Sequence, residues 1–153
     1  MKDESIKILA KNRKASFNFL IEDSLECGIE LKGTEVKSVK GQKFSFSDSY
    51  AKIENKELFL VGFHINTYIH GNKFNHDPDR TRKLLAHKQE IKRLKRKIDE
   101  KGLTLVPLKF YLKFGIVKCE LGICRGKHNY DKREHIKNRD LDREAEREIR
   151  RNS

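Results

Sequence analysis

The fold is decided by the stretch LTLVPLKFYLKFGIVKCELGICRG, residues 103–126. From position 108 to position 114, large apolar residues alternate with lysine or tyrosine. This alternation is typical of a strand with one buried and one solvated face, which is common in antiparallel sheets. Pro107 has no amide hydrogen to donate to a sheet ladder, so it predicts an edge strand or a bulge at that point.

Strand composition also occurs upstream of this stretch. Residues 16–22 (SFNFLIE) and 25–31 (LECGIEL) are rich in Phe, Leu and Ile, and each predicts a strand. Residues 49–65 (SYAKIENKELFLVGFHI) predict two strands joined by a turn near Asn55-Lys56. The chain is therefore expected to contain about six short strands joined by short turns.

The segments between these strands are polar. Residues 33–43 (GTEVKSVKGQK) have Val36 and Val39 three apart, which predicts one or two helical turns. Residues 69–79 combine Gly, Asn, Asp and Pro and predict a loop. Residues 1–11 are expected to form a loose end.

A helical period follows the loop. Apolar or histidine positions step by 3, 4, 3 and 4 along one narrow stripe, formed by Leu84, His87, Ile91, Leu94 and Ile98. Lysines and arginines lie off that stripe, so a basic helix is predicted over residues 83–97. Asp77-Pro78 or Thr81 supplies its start signal and Gly102 the residue that ends it.

Together these elements predict a mainly β protein. Many strands with short turns and one dominant helix fit a small antiparallel OB-like β-barrel with flanking helices, spanning residues 1–125. Residues 126–153 form a separate basic C-terminal tail. From position 125 onward, 17 of 29 residues are charged and few are bulky and apolar, so the tail is expected to be disordered when free. Its arginines recur every four residues from position 139 to position 151, which favours a helix once a partner supplies a surface.

The chain is strongly basic. Its formal net charge is +12 and its pI is about 9.7. Residues 1–80 contribute only +1, whereas residues 81–101 contribute +6. This concentrated positive charge indicates an anionic partner.

Targeting signals and cysteine usage indicate a cytoplasmic protein. No window of about 18 apolar residues is present, so no transmembrane helix and no membrane partner are predicted. The N-terminus lacks a sustained apolar signal core. The three cysteines are an odd number and are expected to be reduced, buried thiols.

The sequence gives little support for a metal site or for a catalytic site. His76, Asp77 and Asp79 suggest a metal site, but no second acidic pair accompanies them, and an ordinary helix start is favoured. Cys119 and Cys124 have no matching ligand pair for zinc. Neither a G-x-S-x-G motif nor a phosphate-binding G-x-x-x-x-G-K-[ST] loop occurs. We therefore expect no enzyme activity, no metal and no cofactor.

Nucleic-acid binding is the better interpretation. The predicted basic helix and a second cluster, KNRKA at residues 11–15, have too few acids to neutralise them. A basic helix face that is merely solvated is the alternative. An excess of one sign repels itself unless an anion is bound, so binding of RNA or DNA is favoured.

Four blocks occur in an order that resembles a known family. They are KNRKA (residues 11–15), ECGIELKGTEVKSVKGQKFSFSDSYAKI (26–53), DPDRTRKLLAHKQEI (77–91) and GICRGKHNYDKRE (122–134). Together they resemble the SsrA-binding protein (small protein B) family, the partner of transfer-messenger RNA. The resemblance extends over nearly the whole chain.

The resemblance implies an adaptor rather than a catalyst. Members of the family bind the tRNA-like domain of transfer-messenger RNA through an OB-like barrel. With elongation factor Tu and GTP, the complex enters ribosomes stalled on messages without a usable stop codon, and translation switches to the tag-coding RNA. The tail occupies the decoding centre and the message channel, where it becomes helical.

The resemblance also implies site residues. Those expected to contact RNA are Asn12, Arg13, Lys14, Glu26, Lys83, Leu85 and Lys88. Those expected to contact the ribosome lie in the tail and are Lys127, Tyr130, Asp131, Lys132, Arg133 and Ile149.

Two alternatives stay open from the residues alone. A ribosomal or ribosome-assembly protein with an OB-like core would bind ribosomal RNA without a tRNA-like partner. A nuclease would use His76 and Asp79 and would show metal-dependent cleavage of single-stranded RNA.

Overall fold

A computed structural model describes residues 6–70 and 75–126 of the chain. This part is mainly β, as predicted, with three helices. The elements in chain order are β1 (Ile6–Lys11), α1 (Arg13–Asn18), β2 (Phe19–Ile29), α2 (Gly33–Lys40), β3 (Phe44–Ser45), β4 (Tyr50–Glu54), β5 (Glu57–Val61), β6 (His64–Ile65), β7 (Arg82–Leu85), α3 (Lys88–Lys101), β8 (Thr104–Lys113) and β9 (Ile116–Gly126).

The large sheet closes on itself. Its strand order is β1-β8-β4-β5-β7-β2-β9, and β8 also pairs with β9. The pairings therefore form a ring of six strands, β8-β4-β5-β7-β2-β9, with β1 added outside on β8. All pairs are antiparallel. This arrangement agrees with the predicted OB-like architecture, because closure removes exposed sheet edges.

The stretch 103–126 forms the β8–β9 hairpin. The pairing register shifts between Pro107 and Lys109, which confirms the bulge predicted at the proline. Phe114 and Gly115 form the turn, with φ of 53° and 78°. Phe114 therefore does not continue the buried alternation, and its side chain is 67% exposed.

The core fills the ring. Phe63 and Phe110 stack with ring centroids 4.4 Å apart. Fully buried aliphatic side chains surround them, among them Leu58, Leu60, Leu84, Leu94, Leu105, Leu121 and Ile123. The three cysteines are free thiols and are buried, as predicted. Burial, the largest effect, raises the pKa of Cys27 to about 12 and that of Cys124 to about 11, so these thiols stay protonated.

The predicted loose end at residues 1–11 is wrong for its described part. Residues 6–11 are β1, paired with β8. Asn12 continues this attachment, because its backbone amide donates to the Leu108 carbonyl at 2.7 Å. The two strands predicted at residues 16–22 and 25–31 are also corrected: α1 occupies the first positions, and β2 runs unbroken for 11 residues.

The predicted helix over residues 83–97 begins too early. Arg82–Leu85 is a strand, β7, which lies between β5 and β2, and α3 begins at Lys88. The His87 amide donates to the Glu90 carboxylate at 3.1 Å at the helix start. Leu84 is buried in the core as part of β7, and its spacing from the apolar positions of α3 is coincidental.

Other local predictions are confirmed. Gly102 ends α3 in the left-handed conformation, with φ of 65°. The turn at Asn55-Lys56 joins β4 to β5, both residues having positive φ. The polar segment after Leu31 forms α2, two turns long. No helix in the described ranges is long and apolar enough to cross a membrane.

Candidate nucleic-acid interface

The outer face of the barrel brings together two predicted residues, Glu26 and Leu85. Leu85 on β7 is paired with Gly28 on β2. A Cβ on Gly28 would lie 3.3 Å from the Leu85 Cβ, so the two positions share one face. Glu26 lies two residues before Gly28 in the same strand and therefore points to that face. The glycine leaves room for Leu85, which is 44% exposed.

The Glu26 carboxylate is oriented by β8. The Tyr111 hydroxyl donates to it, and Lys113 Nζ lies 3.4 Å from its Oε1. The hydrogen bond from Tyr111 lowers the pKa of Glu26, and burial only partly opposes this. Glu26 is therefore a fixed anionic acceptor beside an exposed leucine.

Lys83 lies on the same outer face, two residues before Leu85 on β7. Its Nζ is 2.5 Å from Glu57 Oε2 on β5. The hydrogen bond to Glu57 raises the pKa of Lys83. Lys83 is thus a half-exposed cation whose charge is already partly compensated.

Lys88 lies on a different element. It is the first residue of α3, and it lines a groove with Lys92 and Lys95 along the turn between β4 and β5. Ile53 and Ile91 also line this groove. The structure therefore places the lysines of the predicted basic helix on two elements rather than one.

Arg13 and Lys14 begin α1, and Asn12 immediately precedes it. The Asn12 side chain donates to the Pro107 carbonyl at 2.9 Å, so it anchors the chain to the bulge. The side chains of Arg13 and Lys14 are exposed.

One row of residues paired across neighbouring strands runs from Lys11, directly before Asn12, to Glu26. Lys11 is paired with Lys109, Lys109 with Glu120, and Glu120 with Glu26. The segment and Glu26 thus lie along one surface that crosses β1, β8, β9 and β2. Lys118, paired with Gly28, adds a further cation to it.

A buried charge cluster beneath this region was missed by the sequence reasoning. Glu35 on α2 accepts from both Arg80 and Arg82, each at 2.7 Å, and neither Glu35 nor Arg82 has an exposed side chain. Arg82 also donates to the Phe63 carbonyl at 2.6 Å. The sequence offered GTEVKS and RTRKLL as separate blocks, with no signal that they pair.

The candidate metal residues have other partners. His76 is buried between the Thr34 hydroxyl and the Ile65 carbonyl, each at 2.9 Å. Asp79 is 2.8 Å from His64 instead. The described ranges contain no group of three or more side chains placed to hold a metal ion. The Asp77-Pro78-Asp79 segment is a turn in which the Asp77 and Pro78 carbonyls accept from Arg82, so the predicted helix start is wrong there.

The predicted ribosome-contacting residues cannot be placed in this geometry. Lys127, Tyr130, Asp131, Lys132, Arg133 and Ile149 all lie outside the described residues.

The closed ring and its lysine-bearing outer face define an OB-like β-barrel protein with a basic surface. Within that class, the chain belongs to the SmpB protein family, whose model matches residues 9–151. It is 55% identical over 149 residues to an SsrA-binding protein of Treponema denticola, covering 97% of each chain. It is 51% identical over 150 residues to an SsrA-binding protein of Desulfitobacterium hafniense, covering 98% of this chain and 96% of that one.

A solved structure agrees with these relatives. A chain from the structure reported as "tmRNA-SmpB: a journey to the center of the bacterial ribosome" superposes with a TM-score of 0.67 and is 45% identical. The match covers 83% of this chain and 93% of that chain.

Proposed function

We propose that the chain is a cytoplasmic RNA-binding adaptor that binds the tRNA-like domain of transfer-messenger RNA and delivers it to stalled ribosomes for trans-translation. The observation that carries this proposal is the adjacency of Glu26 and Leu85 on a lysine-bearing face. The relatives named SsrA-binding protein and the tmRNA-SmpB structure support the choice of partner. Elongation factor Tu joins through the RNA complex.

The chemistry of the face fits a folded RNA with an exposed loop. Arg13, Lys14 and Lys83 contact phosphates and position the RNA, as does Lys88 at the start of α3. Leu85 gives an apolar contact to an unstacked base, and Glu26 accepts hydrogen bonds from a base edge or a ribose hydroxyl. Asn12 acts through the backbone that it anchors.

The two regions of the chain divide the work. Residues 1–125 bind the RNA. The tail, residues 126–153, orders on the ribosome as a helix in the empty message channel, although its first residue, Gly126, is the last residue of β9. Ordering on binding lets the tail report the absence of message. The tail residues that carry this step are Lys127, Tyr130, Asp131, Lys132, Arg133 and Ile149. None of these roles requires catalysis, a metal or a cofactor.

The test begins with the RNA that the protein selects. The tagged full-length chain is recovered from a bacterial lysate, and its bound RNA is sequenced. Transfer-messenger RNA should dominate, and the purified chain should prefer a tRNA-like domain transcript over ordinary tRNA at moderate salt. Recovery of ribosomal RNA alone, without that preference, would instead support a ribosomal or assembly protein.

A further inference from the structure

A groove lies between α3 and the turn that joins β4 to β5. Its volume is about 430 Å³, and Ile53 and Ile91 form its apolar part. The polar lining consists of one amide, four lysines and one acid: Asn55, Lys56, Lys88, Lys92, Lys95 and Glu57. All four lysines are exposed, so their ammonium groups are available to a partner.

The described protein does not neutralise the lysines of this groove. Three of the four make no ion pair with any described residue, and the fourth, Lys95, has only the exposed Asp99, at 3.5 Å. Glu57 does not offset them, because its carboxylate is engaged by Lys83 at 2.5 Å. When Lys83 and Asp99 are counted with the lining, five lysines face two carboxylates, and the net charge is still +3.

The stability of α3 does not explain this arrangement. Lys92 has Lys88 four residues before it and Lys95 three residues after it, and like charges at these spacings destabilise a helix. Lys88 is also the first residue of α3, where the positive end of the helix dipole disfavours a cation. An anion in the groove offsets these costs, whereas a merely solvated lysine face does not.

We propose that this groove binds the sugar-phosphate backbone of the tRNA-like domain, beyond the part of the RNA that contacts Leu85. The inference rests on the proposed function and extends the RNA surface onto α3. Glu57 borders both regions, since it lines the groove and pairs with Lys83, so one RNA can cover them together. The proposal assigns phosphate contacts to three further lysines, Lys56, Lys92 and Lys95.

The spacing of the groove lysines suits a run of phosphates. Lys88 and Lys95 are seven residues apart on α3, which is about 10 Å along the helix axis. One strand of a nucleic-acid duplex carries a phosphate about every 3.4 Å of its axis, so this row faces about three phosphates. The acidic stretch of the tail matches less well, because residues 140–148 spread a net charge of −3 over nine residues and include two arginines.

The test removes the positive charges of the groove in the full-length chain. A triple variant carries Lys56→Gln, Lys92→Gln and Lys95→Gln, and its affinity for a tRNA-like domain transcript is measured over a range of salt concentrations. The slope of log affinity against log salt should fall by about two to three, because each lost phosphate contact contributes about 0.7–0.9. The preference over ordinary tRNA should stay constant, since phosphate contacts carry no sequence information.

A second triple variant is the matched control. Arg93→Gln, Arg96→Gln and Lys101→Gln remove the same charge from α3, but none of these residues lines the groove. The control should change the slope by less than about one. An equal fall in both variants, or an unchanged slope in the groove variant, overturns the groove assignment and leaves the adaptor function standing. Failure of the natural chain to bind the transcript overturns both.

A crosslinking experiment identifies the RNA that lies in the groove. The three natural cysteines are buried, so a short photoreactive group can be attached selectively to the new thiol of a full-length Lys92→Cys variant. The group should crosslink to the tRNA-like domain transcript, and the same group on Lys101→Cys should crosslink less. Crosslinks to ribosomal RNA in stalled ribosomes, with none to the transcript, would assign the groove to the ribosome and overturn the proposal.

A further variant tests the tail as the occupant. Asp140→Asn, Asp142→Asn and Glu144→Gln are introduced together, both in the natural chain and in the groove variant. When RNA occupies the groove, these substitutions change RNA affinity by the same factor in both backgrounds. A gain in affinity that requires the groove lysines would show that the acidic stretch of the tail covers the groove, and it would overturn the proposal.

Discussion

The Arg82 guanidinium and the Glu35 carboxylate meet at 2.7 Å, and neither side chain is exposed to solvent. The pair joins β7 to α2 across 47 positions of sequence. The Arg82 guanidinium also donates hydrogen bonds to the carbonyls of Phe63, Asp77 and Pro78. Since Lys83 and Leu85 follow Arg82 on the same strand, burial of this pair fixes that the two residues lie on the outer face of β7.

The first prediction concerns the stability of this cluster. Glu35→Ala should lower the free energy of unfolding by about 3–5 kcal/mol, because it leaves the buried Arg82 cation without its anion. Urea denaturation measures the change. Glu54→Gln is the control: it removes an exposed partner of Lys52 and should change stability by no more than about 1 kcal/mol. Equal effects of the two substitutions would contradict a structural role for the buried pair.

The second prediction is the pH dependence that Glu35 imposes. Burial, the largest effect, opposes its ionisation, but hydrogen bonds from Arg80, the Lys32 amide and Arg82 outweigh it and lower the pKa to about 2. The folded pKa lies below the ordinary value of 4.5, so the contribution is complete above pH 4.5 and is lost as pH falls towards 2.

Comparison with a neutral variant isolates this effect. The stability difference between the natural chain and Glu35→Gln should be constant from pH 7 to about 5 and should shrink below pH 4.5. Denaturation series at fixed pH values measure it. A difference that stays constant down to pH 2 would show that another carboxylate governs acid unfolding.

Local features of the fold were predictable from the sequence because their causes are local. The alternation of apolar and polar residues predicted β8. Asn55-Lys56 predicted a turn, in which both residues have positive φ, and Gly102 predicted the end of α3. The predicted end of α3 was correct, but its predicted start was too early, and this error has one physical reason. Leu84 fits a helical stripe and a buried strand equally well, and only its neighbours β5 and β2 decide between them.

The site shows the same division between local and distant causes. Glu26 and Leu85 were predicted from family resemblance, but the Tyr111 hydroxyl that orients Glu26 is 85 positions away. Likewise, nothing local to Lys83 indicates that Glu57 neutralises part of its charge. Pairings of this kind follow from strand register, which the sequence pattern did not determine.

The third prediction concerns selectivity for the tRNA-like domain. Glu26→Gln and Leu85→Ala should each reduce discrimination against ordinary tRNA by about tenfold, through loss of a charged acceptor or an apolar contact. Competition binding with the two RNAs measures the ratio. Ile69→Ala is the control, because Ile69 is 88% exposed and lies on neither β2 nor β7.

Tyr111→Phe refines this prediction. It removes the hydroxyl that donates to Glu26 and keeps the ring, so the loss of selectivity should have the same direction and a smaller size than that of Glu26→Gln. Unchanged discrimination in both Glu26→Gln and Leu85→Ala would show that the proposed RNA face is misplaced.

The fourth prediction concerns the charge of Lys83. Lys83→Ala should reduce the slope of log affinity against log salt by about one, the value for one lost phosphate contact. At low salt, Lys83→Ala should lower RNA affinity, whereas Glu57→Gln should raise it, because the second substitution frees Lys83 from its ion pair. Lys52→Ala and Glu54→Gln, the neighbouring exposed pair, should change neither quantity. An unchanged salt slope on Lys83→Ala would show that Lys83 makes no phosphate contact and serves only to pair with Glu57.

The fifth prediction separates RNA binding from activity on the ribosome. A chain ending at Asn129 keeps every described strand and helix, so it should bind the tRNA-like domain within about twofold of the full chain, since the RNA face is intact. It should nevertheless fail to tag peptides on stalled ribosomes, because it lacks the proposed decoding-centre residues Tyr130, Asp131, Lys132 and Arg133. A reconstituted translation reaction on a message without a stop codon measures tagging.

A point variant controls for the length of the deletion. Tyr130→Ala in the full chain should lower tagging while RNA affinity stays constant, because it removes an aromatic contact and leaves the charge of the tail unchanged. Asn152→Ala, close to the C-terminus, should have no effect on either readout. A marked loss of RNA affinity on truncation would place part of the RNA site in residues 130–153 and contradict the proposed division of labour.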